Sequence, residues 1–141
     1  MTKIGEYEFP DDLYYTKEHV WARVDGTVAT IGISHFGQAL SGEIVFVEVP
    51  MVGRKVTMNE PFMSMESGKW VGRVKSPVSG KIVEANGEIE WESTLVNQEP
   101  YGKGWLAKIE MADPADLGTM MKANSSPFGA FITSERGKYN K

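Results

Sequence analysis

The stretch SMESGKWVGRVKSP, residues 64–77, places one lysine where another enzyme could modify it. Lys69 follows Gly68, and β-rich runs lie on both sides of this pair. A glycine before a polar residue between two such runs is typical of a hairpin tip, because glycine accepts the positive φ of tight turns. A lysine at a rigid tip is accessible from all sides, which suits covalent modification of its amine. The ordinary alternative is a solvated surface lysine.

Few other residues could do chemistry. The chain has no cysteine, which excludes disulfides, thiolate catalysis and cysteine metal sites, so any sulfur redox chemistry would need an attached group. The two histidines, His19 and His35, are too few for a histidine-rich metal site. We find no glycine-rich phosphate loop, no Ser-His-Asp pattern and no general acid–base pair. The sequence therefore predicts no catalytic residue, no metal ligand and a chain that is not itself an enzyme.

The composition indicates one globular domain with an acidic surface. The 141 residues include 15 Lys and Arg against 19 Asp and Glu, for a net charge of −4. Nucleic acids and anionic membranes attract basic faces, so we expect neither as a partner. No apolar run approaches the roughly 18 residues of a membrane-spanning helix. The first residues are acidic and lack the apolar core of a signal peptide, so we expect a cytoplasmic protein.

Short β-rich runs separated by glycine and proline predict a mainly β fold around the lysine. The two runs on either side of Asp25 and Gly26 predict a hairpin. Ser34 suits the N-cap and Gly42 the C-terminal glycine of a helix of one or two turns. The run EIVFVEVP, rich in Val and Ile, is the strongest strand signal in the chain.

The C-terminal region follows a different pattern. Asp113 can cap a helix with Pro114 in its first turn, and the apolar residues within 117–121 have helical spacing. The residues after Ala123 show weak periodicity and mixed charge. For that segment we expect a poorly ordered or docking tail.

Several stretches, in their order and spacing, resemble the H-protein family of the glycine cleavage system, whose members are lipoyl carriers. They are TKEHVWARV, GTVATIGIS, LSGEIVFVEVPMVGRKV, NEPFMSMESGK, SPVSGKIVEANGEI, LVNQEPYGKGWLAKIEM and DPADL. The resemblance gives residues 1–14 as an N-terminal extension, residues 15–123 as the carrier domain and residues 124–141 as a C-terminal tail. It implies a mainly β barrel-sandwich hybrid of the lipoyl/biotinyl carrier type, with short peripheral helices and a C-terminal helix.

The resemblance also implies a role for the lysine. In this family the lipoyl lysine follows a Glu-Ser pair and one further residue, which matches Glu66, Ser67, Gly68 and Lys69. The implied cofactor is lipoate, joined to Lys69 as N6-lipoyllysine, on an arm that swings between the active sites of partner enzymes. The implied partners are a lipoate ligase or lipoyltransferase, dihydrolipoamide dehydrogenase, glycine decarboxylase and aminomethyltransferase. An unlipoylated protein-binding module is the alternative, and the retained Glu-Ser pair argues against it.

Four positions near the lysine depart from the family pattern. Val20 replaces a glutamate after the motif histidine, Arg73 replaces an aspartate, and Trp70 and Val71 replace small residues. In typical members these carboxylates help to hold the aminomethyl cargo, which is a cation. We expect five residues to surround the arm and its cargo: Glu18, His19, Val20, Trp70 and Arg73. His19 either borders the groove of the arm or is a satisfied structural histidine.

The changed charges favour an anionic cargo. Losing two carboxylates and gaining the Arg73 guanidinium weakens the binding of a cation and favours an oxyanion, although Glu18 could partly compensate. H-protein-like lipoate-binding proteins of sulfur-oxidising prokaryotes work with a heterodisulfide-reductase-like complex. We favour a sulfur cargo of that kind over the aminomethyl group of an ordinary H protein. Arg73 and Lys75 could instead be solvated on one face of a strand.

Overall fold

A computed structural model describes residues 1–141 and shows twelve strands, four α-helices and one 3₁₀ helix. The strands are β1 (Thr2–Ile4), β2 (Tyr7–Phe9), β3 (Tyr14–Tyr15), β4 (Val20–Asp25), β5 (Val28–Ile33), β6 (Ile44–Glu48), β7 (Lys55–Val56), β8 (Pro61–Ser67), β9 (Trp70–Lys75), β10 (Gly80–Ala85), β11 (Ala107–Met111) and β12 (Met121–Lys122). The helices are α1 (His35–Ser41), α2 (Glu88–Trp91), α3 (Leu95–Gln98) and α4 (Ser126–Tyr139), and the 3₁₀ helix is Pro114–Thr119. The prediction of a mainly β fold with short helices and a C-terminal helix is confirmed. None of the helices has the length and apolar character needed to cross a membrane.

The strands form three antiparallel sheets. The largest has the order β12-β3-β4-β5-β11-β10-β7, the second has the order β6-β8-β9, and β1 pairs with β2. One hydrophobic core of 21 residues joins the two larger sheets. Ile31 and Ile109 reach it from the first sheet, and Ile44 and Met65 from the second. The sheet that carries the lysine hairpin is therefore anchored by its apolar face.

Two local elements form as the sequence predicts. Strands β4 and β5 are joined through Gly26, whose φ of 64° suits a residue without a Cβ. Helix α1 begins after Ser34, whose Oγ accepts the Gly37 N–H at 3.0 Å. It ends at Gly42, which has a φ of 80° and donates its N–H to the Gln38 carbonyl.

The region after Asp113 differs from its prediction. The predicted helix is only the 3₁₀ helix Pro114–Thr119, and the chain then enters β12. Met121 pairs with Tyr15 of β3, so backbone hydrogen bonding to the large sheet replaces the expected helical turn. The segment after Ala123, expected to be poorly ordered or docking, contains the 14-residue helix α4.

Helix α4 docks on a second hydrophobic core of nine residues. Phe128 and Ile132, four residues apart on one helix face, are each only 1% exposed. The ring of Phe128 lies 5.0 Å from that of Phe9 and 4.8 Å from that of Tyr15, measured between centroids. The N-terminal extension and the C-terminal tail are thus packed together against the start of the carrier domain. Gly129 weakens the local helix signal, so this packing stabilises α4 more than propensity does.

We predict that Phe128→Ala lowers the free energy of unfolding by about 3–5 kcal/mol, because it leaves a cavity in the second core. Phe46→Ala is the control, since Phe46 is 51% exposed, and surface changes usually shift stability by about 0.5 kcal/mol or less. Urea unfolding followed by circular dichroism measures both. Equal stabilities for the two variants would show that α4 does not pack on the domain.

Candidate functional site

The lysine lies at the tip of the β8–β9 hairpin, as the sequence predicts. Ser67 pairs with Trp70, which leaves Gly68 and Lys69 as a two-residue loop. The sequence predicts a positive φ at Gly68, and this prediction is wrong, because the positive-φ residues of the chain do not include it. A Cβ on Gly68 would meet no atom within 4 Å, so neither φ nor crowding requires a glycine at this position.

The residues of the modification motif have different surroundings. Ser67 is buried, and its Oγ accepts the Lys69 N–H at 3.4 Å, which supports the turn. Glu66 is exposed and lies in register between Phe46 of β6 and Val71 of β9. The side chain of Lys69 is exposed, and its Nζ makes no hydrogen bond or ion pair. The amine is therefore available for acylation.

A cavity of about 320 Å³ lies beside this tip. The structure brings all five residues of the predicted arm environment to its wall: Glu18, His19, Val20, Trp70 and Arg73. Helix α1 contributes Leu40 and Ser41, and α4 contributes Tyr139. The walls therefore come from the start of β4 with the two residues before it, from the edge strand β9, and from the helices α1 and α4.

The apolar walls of the cavity are preformed. Val20 is only 1% exposed, and it joins the main hydrophobic core. Trp70 is 39% exposed, and its indole folds back over Gly72 on the same strand. Any side chain at position 72 would overlap that ring, so Gly72 sets how closely Trp70 can lie on the hairpin.

The charged residues of the cavity are unbalanced. Glu18 is the one carboxylate in its wall, whereas Arg73 and Lys75 both line it. The two cations lie two residues apart on β9, which forms an edge of its sheet. They are exposed, as for a solvated strand face, yet they also border the cavity. A bound group would meet more positive than negative charge.

His19 lies in the cavity wall and also makes structural contacts, but it is not a fully satisfied histidine. It lines the cavity, and its Nε2 lies 2.9 Å from Oε1 of Glu135 on α4. Its ring stacks on Phe131 with centroids 5.5 Å apart and meets the ring of Phe36 edge-on at 5.1 Å. Its Nδ1 is buried without a hydrogen-bond partner.

Two residues of the tail were not predicted near the cavity: Tyr139, which lines it, and Glu135, which contacts His19. The tail has weak periodicity, so its local sequence does not indicate α4. Burial lowers the pKa of His19, while the hydrogen bond and the charge of Glu135 oppose that shift. Burial is the larger effect, so the neutral imidazole is favoured.

We predict that His19 titrates below the ordinary histidine value of about 6.5, and that Glu135→Gln lowers its pKa further by removing a nearby negative charge. NMR titration of the imidazole protons measures both values. A midpoint above the ordinary value would show that the Glu135 charge outweighs burial.

The same shift has a consequence for stability. Because the pKa of His19 is lower in the folded chain, the unfolded chain binds more protons, and unfolding becomes easier as the pH falls below about 6.5. His19→Asn removes this contribution while keeping a residue that tolerates the φ of 67° at this position. An unchanged pH dependence of the melting temperature in that variant would contradict the assignment.

Comparisons with known proteins agree on one family. The family model described as Glycine cleavage H-protein matches residues 13–127. The glycine cleavage system H protein of Brevibacillus brevis is 49% identical over 117 residues, which cover 83% of this chain and 93% of that protein. The H protein of Symbiobacterium thermophilum is 46% identical over 114 residues, covering 81% and 89%.

A solved structure extends this agreement to the fold. The crystal structure of a glycine cleavage system H protein from Mycobacterium marinum matches with a TM-score of 0.76 and 27% identity, over 94% of this chain and all of that one. The predicted barrel-sandwich fold is confirmed by this match. The relatives support the glycine cleavage alternative and give no support to the sulfur cargo that the sequence favours. The chain belongs to the glycine cleavage H-protein family, and it is a non-catalytic carrier with a covalently attached lipoyllysine.

Proposed function

We propose that Lys69 carries the lipoyl group and that the arm moves an aminomethyl group from glycine decarboxylase to aminomethyltransferase. The observation that carries this proposal is the placement of Lys69, alone and exposed, at the two-residue tip of β8–β9 in a chain of this family. Lipoate supplies a dithiolane that can be reduced to a dithiol and loaded with cargo. The chain supplies the attachment point, the position and the shelter.

The residues around Lys69 suit such an attachment. Its free Nζ can form an amide, and the Ser67 hydroxyl steadies the turn below it. The motif residue Glu66 stands exposed beside the tip, where a modifying enzyme must approach. We propose a lipoate ligase or lipoyltransferase as that enzyme, and dihydrolipoamide dehydrogenase as the enzyme that reoxidises the arm.

The cavity beside the tip suits a sheltered resting position for the arm. Val20 and Trp70 provide apolar wall, which can cover a hydrocarbon chain and a dithiolane ring. Glu18 is the carboxylate that can attract the cationic aminomethyl group. Two unit charges 4 Å apart interact by about 4 kcal/mol at an effective dielectric of about 20, and by about 1 kcal/mol in bulk water. Because Glu18 is exposed, its attraction for the aminomethyl group lies closer to the lower of these two energies.

A second candidate cargo is an anionic sulfur species delivered to a heterodisulfide-reductase-like complex. One observation favours it: Arg73, at a position where the family pattern has an aspartate, lines the cavity together with Lys75. A guanidinium offers a planar fork of donors to an oxyanion and repels an ammonium group. The relatives do not support this cargo, so we rank it second.

We predict that a lipoate ligase, with lipoate and ATP, adds one lipoyl group to the wild-type chain and none to Lys69→Ala. Lys75→Ala is the matched control, because it removes the other lysine of the same hairpin. Intact-mass spectrometry measures the increment. A lipoyl increment on Lys69→Ala would refute the attachment site, and no increment on any variant would favour the unlipoylated binding module.

The cargo is tested by loading the lipoylated chain with glycine and glycine decarboxylase. We predict that Arg73→Asp loads about tenfold faster than wild type, equivalent to about 1.4 kcal/mol, because it replaces a repulsive charge by an attractive one. Lys81→Asp makes the same charge change at an exposed position of β10 outside the cavity wall. Quenched samples analysed by mass spectrometry give the loaded fraction.

The outcomes separate the two cargoes. Measurable loading of the wild type supports the aminomethyl carrier. No loading of the wild type, together with loading of Arg73→Asp, would favour the anionic cargo. Equal rates for wild type, Arg73→Asp and Lys81→Asp would show that Arg73 does not face the cargo.

A further inference from the structure

The stem of Lys69 lies on the turn between α1 and β6. A Cβ placed on Gly42 would lie 2.8 Å from Lys69 Cε, 3.6 Å from its Nζ and 3.8 Å from its Cδ. These three atoms are the nearest neighbours that such a Cβ would have. The backbone at Gly42 is therefore the surface on which the lysine lies.

The turn under the lysine is tightly fixed. Asn97 of α3 accepts the Ile44 N–H on its Oδ1 at 2.9 Å. Its Nδ2 donates to the Gly42 carbonyl at 2.8 Å and to Gln38 Oε1 at 3.0 Å. The Asn97 amide thus uses its oxygen and both N–H groups to join α3, α1 and the start of β6. Ser93 adds a fourth bond by donating its hydroxyl to the Ile44 carbonyl at 2.9 Å.

The residues of this turn border two cavities. Leu40 and Ser41, the two residues before Gly42, line the cavity wall. Trp70, the residue after Lys69, also lines it. Gly42 itself lines a second cavity of about 330 Å³, together with Gln38 and Asn97. The stem of Lys69 therefore lies on a turn whose residues border both cavities.

We propose that Gly42 is a positioning residue for the lipoyl arm: a turn without a side chain, held rigid by Asn97, on which the stem of Lys69 lies directly after the wall residues Leu40 and Ser41. This inference rests on the proposed attachment at Lys69. Close approach explains the glycine in addition to its φ of 80°, because any Cβ would occupy the path of the stem. The nearest atom is in the flexible end of Lys69, so an alanine displaces the arm in addition to straining a backbone whose φ is 80°.

The chain offers a matched control at Gly53. Its φ is 95°, so alanine there suffers the same kind of backbone strain as at Gly42. A Cβ on Gly53 would meet nothing within 4 Å, so no side chain is displaced. A difference between Gly42→Ala and Gly53→Ala therefore reports on the arm and not on strain.

The test uses lipoylated wild type, Gly42→Ala and Gly53→Ala, each reduced with a phosphine and alkylated with iodoacetamide. Free dihydrolipoamide gives the rate for an unsheltered dithiol. We expect wild type and Gly53→Ala to react more slowly than dihydrolipoamide, and Gly42→Ala to react about threefold faster than wild type, because fewer arms are docked. Equal rates for the two alanine variants, or a wild type as fast as dihydrolipoamide, would overturn the proposal.

A second measurement needs no lipoyl group. In unmodified protein we expect a nuclear Overhauser effect between the Lys69 ε-protons and the Gly42 α-protons, which Asn97→Asp weakens because it loses both donors of the amide. Absence of that signal in wild type would show that the Lys69 side chain does not lie on Gly42. A wild type that accepts no lipoyl group but shows the signal would overturn the proposed attachment. It would still show that the Lys69 side chain lies on Gly42.

Discussion

The β8–β9 ladder is the constraint on which the rest of the site depends. Six paired positions hold the two strands from Pro61↔Lys75 to Ser67↔Trp70, and the tip between them has only two residues. Met65 and Val74 anchor the same strands in the main core. An arm attached at Lys69 therefore has a fixed root, so its movement comes from the flexible lipoyl-lysine and not from the hairpin. A fixed root keeps the arm within reach of its cavity.

The second core completes the cavity from the other side. Helix α4 is held by Phe128 and Ile132, and this brings Tyr139 to the wall and Glu135 to His19. Strand β2 contributes Tyr7 and Phe9 to the same core, so the N-terminal strands support α4 and, through it, the wall of the cavity. Stability of the second core and the shape of the cavity are therefore linked.

The cavity has apolar walls that suit a lipoyl arm, but its charge does not favour a cationic cargo. The apolar walls fit a lipoyl arm, and membership of the H-protein family makes the aminomethyl group the first candidate cargo. Arg73 and Lys75 give the wall a positive balance against Glu18 alone. Because exposed charges are screened by water and salt, this balance modulates cargo preference without preventing the arm from docking.

Local patterns in the sequence determined the strands β4 to β11, the Asp25–Gly26 hairpin, the caps of α1 and the tip at Lys69, because these depend on neighbouring residues. The order and spacing of seven matching stretches also indicated the family. The tertiary structure alone decided that α4 forms and docks, that His19 meets Glu135 across 116 residues of sequence, and that Lys69 lies on Gly42. Those contacts join segments far apart in the chain, and packing selects them where local propensity is weak or neutral.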